Sequence, residues 1–390
     1  MDQPSARDEV NPPPSGVLTR AGFDWRAAGL AVALYETLRL LGVGLAWLVA
    51  EEQHRNVWAM LRRWDAAWYV GVTTRGYDAA IPLKSDGTDA TSNLAFFPLY
   101  PKLIALVDPI MPGGAAISGI VVTWAFGVAA AAGVYAVGSH VRDRRTGIML
   151  AGLWAAIPHA FVQSMGYTET LFTALAAWSL YFTLRRRWLR AGVLCMLAGL
   201  SRPNSVSIIV VVLLSALAAI LRRRDGWRPW VAGLIAPLGF VGYVAWVGHR
   251  LGRWDGYMHV QNSAWKMHFD FGVYTVQTMQ KQLIRAEPLA LYVVTLVLLI
   301  VIALLVITSL DQYPWQLWVF AFVLFTMAFL GAGYYHSKAR NIIPAFTVLL
   351  PVAAALAKSH RHTAVVVLAL LAVISAGYGI YLTSVWTGSP

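Results

Sequence analysis

The chain has 390 residues, of which 58% are hydrophobic and only 13% charged, with a net charge of +12; a soluble domain carries about 25% charged residues, so a water-soluble globule is excluded. Apolar runs of roughly 20 residues recur to the C-terminus, which predicts an all-α polytopic membrane protein and excludes an outer-membrane barrel, whose strands alternate apolar and polar residues. The cations sit mostly in short clusters between apolar runs, so topology and anionic lipid headgroups account for the charge, and no nucleic-acid partner is expected.

Residues 1–26 are polar and proline-rich and lack an apolar core. They are expected to form a disordered cytoplasmic tail, not a cleavable signal peptide. Residues 27–390 then form a single transmembrane domain. Its candidate spans are 27–50, 115–138, 147–165, 168–184, 190–201, 204–221, 229–248, 288–309, 315–333, 341–357 and 363–385, about eleven in all. Residues 51–111 make a long first loop. Within it, prolines and charges in 96–111 discourage a span, and this piece is expected to be a helix at the interface. Residues 249–287 make a second long loop. Cys195, the one cysteine, lies in an apolar run and reads as packing; it excludes an internal disulfide or a cysteine metal cage. There is no dinucleotide, Walker or HExxH signature, and no repeat of 20–50 residues.

Four short loops carry dense cation clusters: Arg142, Arg144 and Arg145; Arg185, Arg186, Arg187 and Arg190; Arg222, Arg223, Arg224 and Arg228; and Lys358 with Arg361. The segmentation places all four on the side of the N-terminal tail, which the distribution of positive charge assigns to the cytoplasm. The run 191–201 would rise only about 16 Å as a helix, too short for a bilayer. Either 191–221 is one long helix, or two short helices meet at "SRPN" (201–204), leaving a polar break at membrane depth that protein or a wet cavity must surround. On this parity both long loops, "MGYTET" (165–170), "SRPN" and "YYHSKAR" (334–340) converge on the outer side.

"RRWDAAWYVGVTTRGYD" (62–78) sets aromatics, cations and carboxylates just after the first span. If it is helical, Asp65, Trp68, Tyr69 and Val72 share one face of an interfacial helix. Asp65 is then either a solvated carboxylate in an aromatic belt or a general base, partly desolvated and suited to taking a hydroxyl proton. Asp78, Asp86 and Asp89 read as a solvated loop. Glu36 and Arg39 read as a structural pair within the first span, or as groups near the site. Glu169, with Tyr167, either complements a helix N-terminus or serves the site. Arg202, alone at a broken helix, wants an anion. His336, Lys338 and Arg340 are either a charged helix end or a phosphate cradle. His259 and Gln261 read as loop residues. No set has convincing metal spacing, His54 beside Glu51 and Glu52 included, so no metal is expected.

Taken together, "RRWDAAWYVGVTTRGYD", "AFFPLYPKL" (95–103), "GYTETLFTALAAWSLYF" (166–182) and "AGLSRPNSV" (198–206) resemble the PIG-V family, the GPI mannosyltransferase II enzymes and their bacterial relatives; "SKARNIIPAFTVLLP" (337–351) resembles a later span more loosely. The resemblance implies a GT-C glycosyltransferase fold for 27–390, with amphipathic helices in an extracytoplasmic loop 51–111. It implies an inverting transfer of mannose from polyprenyl-phosphate mannose to a hydroxyl of a glycolipid or glycan acceptor, with Asp65 in the place of the catalytic carboxylate. Arg202, Lys338, Arg340 and His336 are then assigned to the donor phosphate. Trp64, Trp68, Tyr69, Tyr167, Glu169 and Asn204 are assigned to substrate, although Trp64, Trp68 and Tyr69 serve equally well to hold the loop at the interface. Such a donor needs no nucleotide, and no cofactor is expected. The arginine-rich short loops and the Ala/Val content look bacterial, which places the protein in the cytoplasmic membrane with its site facing outside. A transporter or flippase of lipid-linked substrates is the competing reading, and a non-catalytic lipid-binding subunit a third.

Overall fold

A computed structural model describes residues 23–390. The expected tail lies outside the described residues up to position 22, and its boundary is corrected at the other end. Helix α1 (Trp25–Glu52) already starts at Trp25, because Asp24 accepts from the backbone N–H groups of Arg26 and Ala27 at 3.0 and 3.1 Å and so caps it.

The first loop holds α2 (Val57–Leu61), α3 (Asp65–Arg75) and α4 (Leu99–Val107). Helix α4 packs one face on α5. Tyr100 and Ile104 are buried, and the Tyr100 hydroxyl reaches Thr123 Oγ1 at 2.7 Å, while Leu106 is exposed. Then follow α5 (Gly114–Val141), α6 (Arg144–Ala155), α7 (Glu169–Leu184), α8 (Trp188–Gly199), α9 (Val206–Leu221), α10 (Arg228–Ile235) and α11 (Leu238–Leu251). The second loop contains α12 (Gly256–His259), which runs into a π-helical turn Val260–Ala264, then strand β1 (His268–Phe269) and α13 (Val273–Ile284). The chain ends with α14 (Leu289–Leu310), α15 (Trp315–Leu330), strand β2 (Gly331–Ala332), α16 (Lys338–Ile342), α17 (Leu350–Lys358) and α18 (Arg361–Ser384). The strands pair antiparallel, His268 with Ala332 and Phe269 with Gly331.

All eleven apolar runs fall on helices, but fewer are full spans. Among the described residues, six stretches are long and apolar enough to cross a bilayer (α1, α5, Pro203–Leu221, Arg228–Leu251, α14 and α18), and the pair Tyr335–Ile342 and Phe346–Lys358, bent by 69°, passes the same measure if it counts as one span. Helices α6, α7, α8 and α15 have 12 to 16 residues, about 18–24 Å of rise. The shortness has a physical reason at three of them: polar breaks after α6 and α8 and at 331–337 end α6, α8 and α15. At the "SRPN" break the two-helix alternative holds, α8 ending at Gly199 and α9 starting at Val206.

Helix α5 is the central post, packed against α1, α4, α6 and α7. Its glycines permit close approach. A Cβ added at Gly127 would lie 2.9 Å from the Tyr35 hydroxyl, and at the α8–α11 crossing one added at Gly239 would lie 1.9 Å from Met196 O.

Contacts sort the helix ends into two groups. Asp24 pairs with Arg144, Arg145 donates to Ser359 O at 2.8 Å, His140 lies edge-on to Tyr181, and Trp188 Nε1 donates to Asp225 at 2.9 Å. All four cation clusters and the start of α1 therefore share one end of the bundle. At the other end the two long loops are stitched together. Trp265 Nε1 donates to Ser92 O at 2.9 Å and Arg250 to Asp78 O at 2.6 Å, and from α11 the Tyr243 hydroxyl donates to Phe96 O at 2.7 Å.

Candidate functional site

Four charged side chains from four elements meet beneath these loops. Asp65 is the first residue of α3 and Glu169 the first of α7, so each carboxylate sits at a helix N-terminus, where the macrodipole favours negative charge. Arg202 is extended in the break between α8 and α9, and Arg340 lies in α16. Arg340 Nη2 is 2.9 Å from Asp65 Oδ2, and its Nε is 3.5 Å from Glu169 Oε1. Arg202 Nη1 approaches the same Glu169 oxygen at 2.8 Å. The result is a chain of alternating charge, Asp65–Arg340–Glu169–Arg202.

Its members differ in exposure. The Glu169 side chain is 2% exposed and the two arginines 9–10%, whereas Asp65 is 23% exposed. Glu169 is thus a buried counter-ion, and Asp65 is the carboxylate that a second molecule can reach. Arg340 Nη1 and Glu169 Oε2 are buried without a hydrogen-bond partner. A buried donor left unpaired is costly, so Arg340 retains unused capacity for an acceptor. Tyr167 lies under this guanidinium, 5.2 Å from ring centre to carbon, and is a platform rather than a cavity-facing group.

The backbone before Asp65 is strained. Trp64 has φ 56° and ψ −118°, a region that costs about 1–3 kcal/mol for a non-glycine residue. Arg63 stacks over the Trp64 ring at 4.6 Å, and the Tyr167 hydroxyl reaches Arg63 O at 3.4 Å. The strain is therefore held by the segment that fixes Asp65.

A cavity of about 470 Å³ opens beside this chain. Asp65, Arg202, Arg340, Asn204 and Asn341 line its polar side. Arg202 donates to Asn341 Oδ1 at 3.0 Å, and Asn204 donates to Asn341 O at 2.9 Å. Its aromatic side is formed by Tyr69, Phe96, Tyr257, Trp265 and Tyr334, with Gln261 bonded to the Tyr257 hydroxyl at 2.8 Å. Trp68 stands behind that wall, stacked on Phe96 at 5.7 Å and edge-on to Trp265 at 5.3 Å. Burial pushes the Tyr69 phenol well above its ordinary pKa, so it remains a neutral partner for Thr168 at 3.1 Å.

Other expected groups fall elsewhere. Lys338 is buried and donates to the carbonyls of Ala328 (2.7 Å) and Gly331, closing the end of α15, and it does not line the cavity. His336 packs between Tyr334 and Trp386. Of the four cations expected to bind the donor phosphate, Arg202 and Arg340 line the cavity, whereas His336 does not and Lys338 is taken up by backbone carbonyls. Arg39 is not paired with Glu36; it turns to the carbonyls of Ala155 and Ala160 and satisfies the broken end of α6. Asp78 accepts from Ser92 Oγ and Asn93 N and folds its own loop, Asp86 is held below the usual carboxylate range by Thr88, and Asp89 meets His259 at 3.4 Å. Among the described residues no three His, Cys, Asp or Glu side chains form a group that could hold a metal ion.

Asn341, Phe96 and Trp265 were missed as site residues. Asn341 follows Arg340 directly, and a polar residue beside a cation at the start of an apolar run was the available signal. Nothing local marks Trp265, whose place depends on the pairing of two distant loops.

Glu169→Gln tests the counter-ion assignment. It leaves two buried guanidinium groups with one fewer partner, so unfolding in detergent should show a loss of about 3 kcal/mol. An unchanged stability would mean that the two arginines do not need Glu169.

These features define a helical membrane protein with a charged and aromatic cavity at one end of its bundle, capped by two stitched loops. No protein-family model matches the sequence, and no curated protein matches it. Among solved structures, the chain is similar to ArnT from Cupriavidus metallidurans bound to undecaprenyl phosphate. The TM-score is 0.50 at 12% identity, over 78% of this chain and 57% of that one. The likeness is one of fold alone: the chain is an all-α polytopic membrane protein folded like ArnT, and it spans little more than half the length of that chain.

Proposed function

We propose that the chain is an inverting glycosyltransferase that takes a sugar, mannose on the PIG-V resemblance, from a polyprenyl phosphate and passes it to a hydroxyl of a glycolipid or glycan. The observation that carries this reading is the chain of charge: an accessible carboxylate joined through Arg340 and Glu169 to a second, buried arginine beside an aromatic cavity. The fold neighbour was solved with undecaprenyl phosphate, a ligand of the same chemical class, which supports the reading. A lipid-linked donor also explains why the site lies at a bundle end. The tail stays in hydrocarbon while the sugar phosphate reaches water.

In the resting protein Arg340 pairs with Asp65. A donor phosphate placed against Arg202 and Arg340 competes for that guanidinium and leaves Asp65 free for the acceptor. Asp65 then takes the proton of the acceptor hydroxyl. The oxygen bonds to the anomeric carbon from the face opposite the phosphate, the carbon–oxygen bond to phosphate breaks, and polyprenyl phosphate departs with the electron pair. Charge grows on the leaving phosphate in an oxocarbenium-like transition state, where fixed cations act most strongly. Lys338 and His336 have no part in this version. The site end faces outside, opposite the cation clusters.

The direct experiment is transfer by the purified protein in nanodiscs, from a radiolabelled set of polyprenyl-phosphate sugars to membrane glycolipids. The expected result is a labelled product with the anomeric configuration opposite to the donor's. Retention of configuration, or no transfer from any lipid-linked sugar, would contradict the proposal.

A further inference from the structure

The cationic end of the bundle carries a second concavity. Between α7 and α8 a notch of about 160 Å³ is lined by Phe182, Arg185, Arg187 and Arg190. The turn that makes it is tight: Arg187 N donates to Phe182 O at 2.8 Å, and Arg186 adopts φ 55°. Arg190 lies over the Phe182 ring at 5.5 Å, and Arg185 donates to the Tyr181 hydroxyl at 2.7 Å. The Arg185 and Arg190 guanidinium groups are thereby held at one hollow with an aromatic floor, and the exposed Arg187 completes its rim.

Among the described residues, none of the three forms an ion pair. The acid of the neighbouring arginine loop, Asp225, accepts instead from Trp188 Nε1 at 2.9 Å. Like charges held together without a counter-ion favour an anion, and guanidinium forks match phosphate oxygens. The surroundings suit headgroup depth, since Leu189, Leu221, Trp227 and Trp230 are all exposed beside the two arginine loops.

We propose that this notch binds a phosphate group, supplied by an anionic phospholipid of the leaflet opposite the cavity. The inference rests on the notch alone and not on the reading of the cavity. Helix α7 begins at Glu169, and α8 ends shortly before Arg202. A lipid seated at the α7–α8 turn braces the helix pair whose far ends carry those two residues.

The test is native mass spectrometry of the detergent-solubilised full chain, titrated with phosphatidylglycerol, phosphatidylcholine or inorganic phosphate. The wild type is expected to bind phosphatidylglycerol in preference to phosphatidylcholine. Arg185→Gln/Arg187→Gln/Arg190→Gln is expected to weaken that binding roughly 100-fold, the contribution of three arginines at an anionic surface. Arg187→Gln alone, at an exposed position, gives a partial loss without risk to folding. Inorganic phosphate bound by the wild type and not by the triple variant would uphold the phosphate site with a soluble source. Equal lipid binding by wild type and both variants, or no preference for the anionic lipid, would overturn the proposal.

Discussion

Asp65→Asn is expected to lower sugar transfer by at least about 100-fold, the usual range for loss of a general base. The substitution keeps the shape of the side chain, and an amide oxygen can still accept from Arg340 Nη2, which now lies 2.9 Å from Asp65 Oδ2. Donor binding should therefore survive, and the loss should fall on kcat. Asp65 is also the member of the charge chain open enough to meet an acceptor, at 23% exposure against 2% for Glu169. Glu169 cannot take over the role, because both of its arginine partners close around it. A well-folded Asp65→Asn protein with near-normal turnover would remove the residue from the chemistry.

Arg340→Gln is expected to fall by a similar or larger factor, about 100- to 1,000-fold, the range seen when one preorganised donor is taken from developing negative charge. Three contacts on one side chain place Arg340 there: Asp65 at 2.9 Å, Glu169 at 3.5 Å and the Tyr167 ring at 5.2 Å. Its Nη2, which the resting protein pairs with Asp65, is the donor that a phosphate would compete for. Unlike Asp65→Asn, this variant should weaken donor binding as well as turnover. If Arg340 also steers Asp65, the double variant should lose less than the product of the two single losses. Strict multiplicativity, with donor binding unchanged, would confine Arg340 to structure.

The helical class and the positions of the helices were legible because apolar runs persist wherever lipid or the bundle core demands them. Span lengths were not. The shortening of α6, α8 and α15 is set by polar breaks whose carbonyls are satisfied from elsewhere, by Arg39 at α6 and by Lys338 at α15. Asp65, Glu169, Arg202 and Arg340 were each visible as a charge out of place in a greasy chain. Their pairing was not, since Asp65 and Arg340 are far apart in the sequence and meet only when α16, packed on α14 and α15, sends the Arg340 side chain to the starts of α3 and α7. For the same reason the sequence could not separate Lys338 from Arg340, two residues apart in one short helix. One is consumed by backbone carbonyls and the other faces the cavity. The aromatic wall was half legible: Tyr69 stood out beside Asp65, while Trp265 and Tyr257 enter through the second loop.

The most direct measurement is a cryo-electron microscopy structure of the protein saturated with polyprenyl phosphate. The phosphate is expected in the cavity within hydrogen-bonding distance of both Arg202 and Arg340, with Asp65 released from Arg340. A phosphate bound elsewhere, or one held with the Asp65–Arg340 pair intact, would contradict the account.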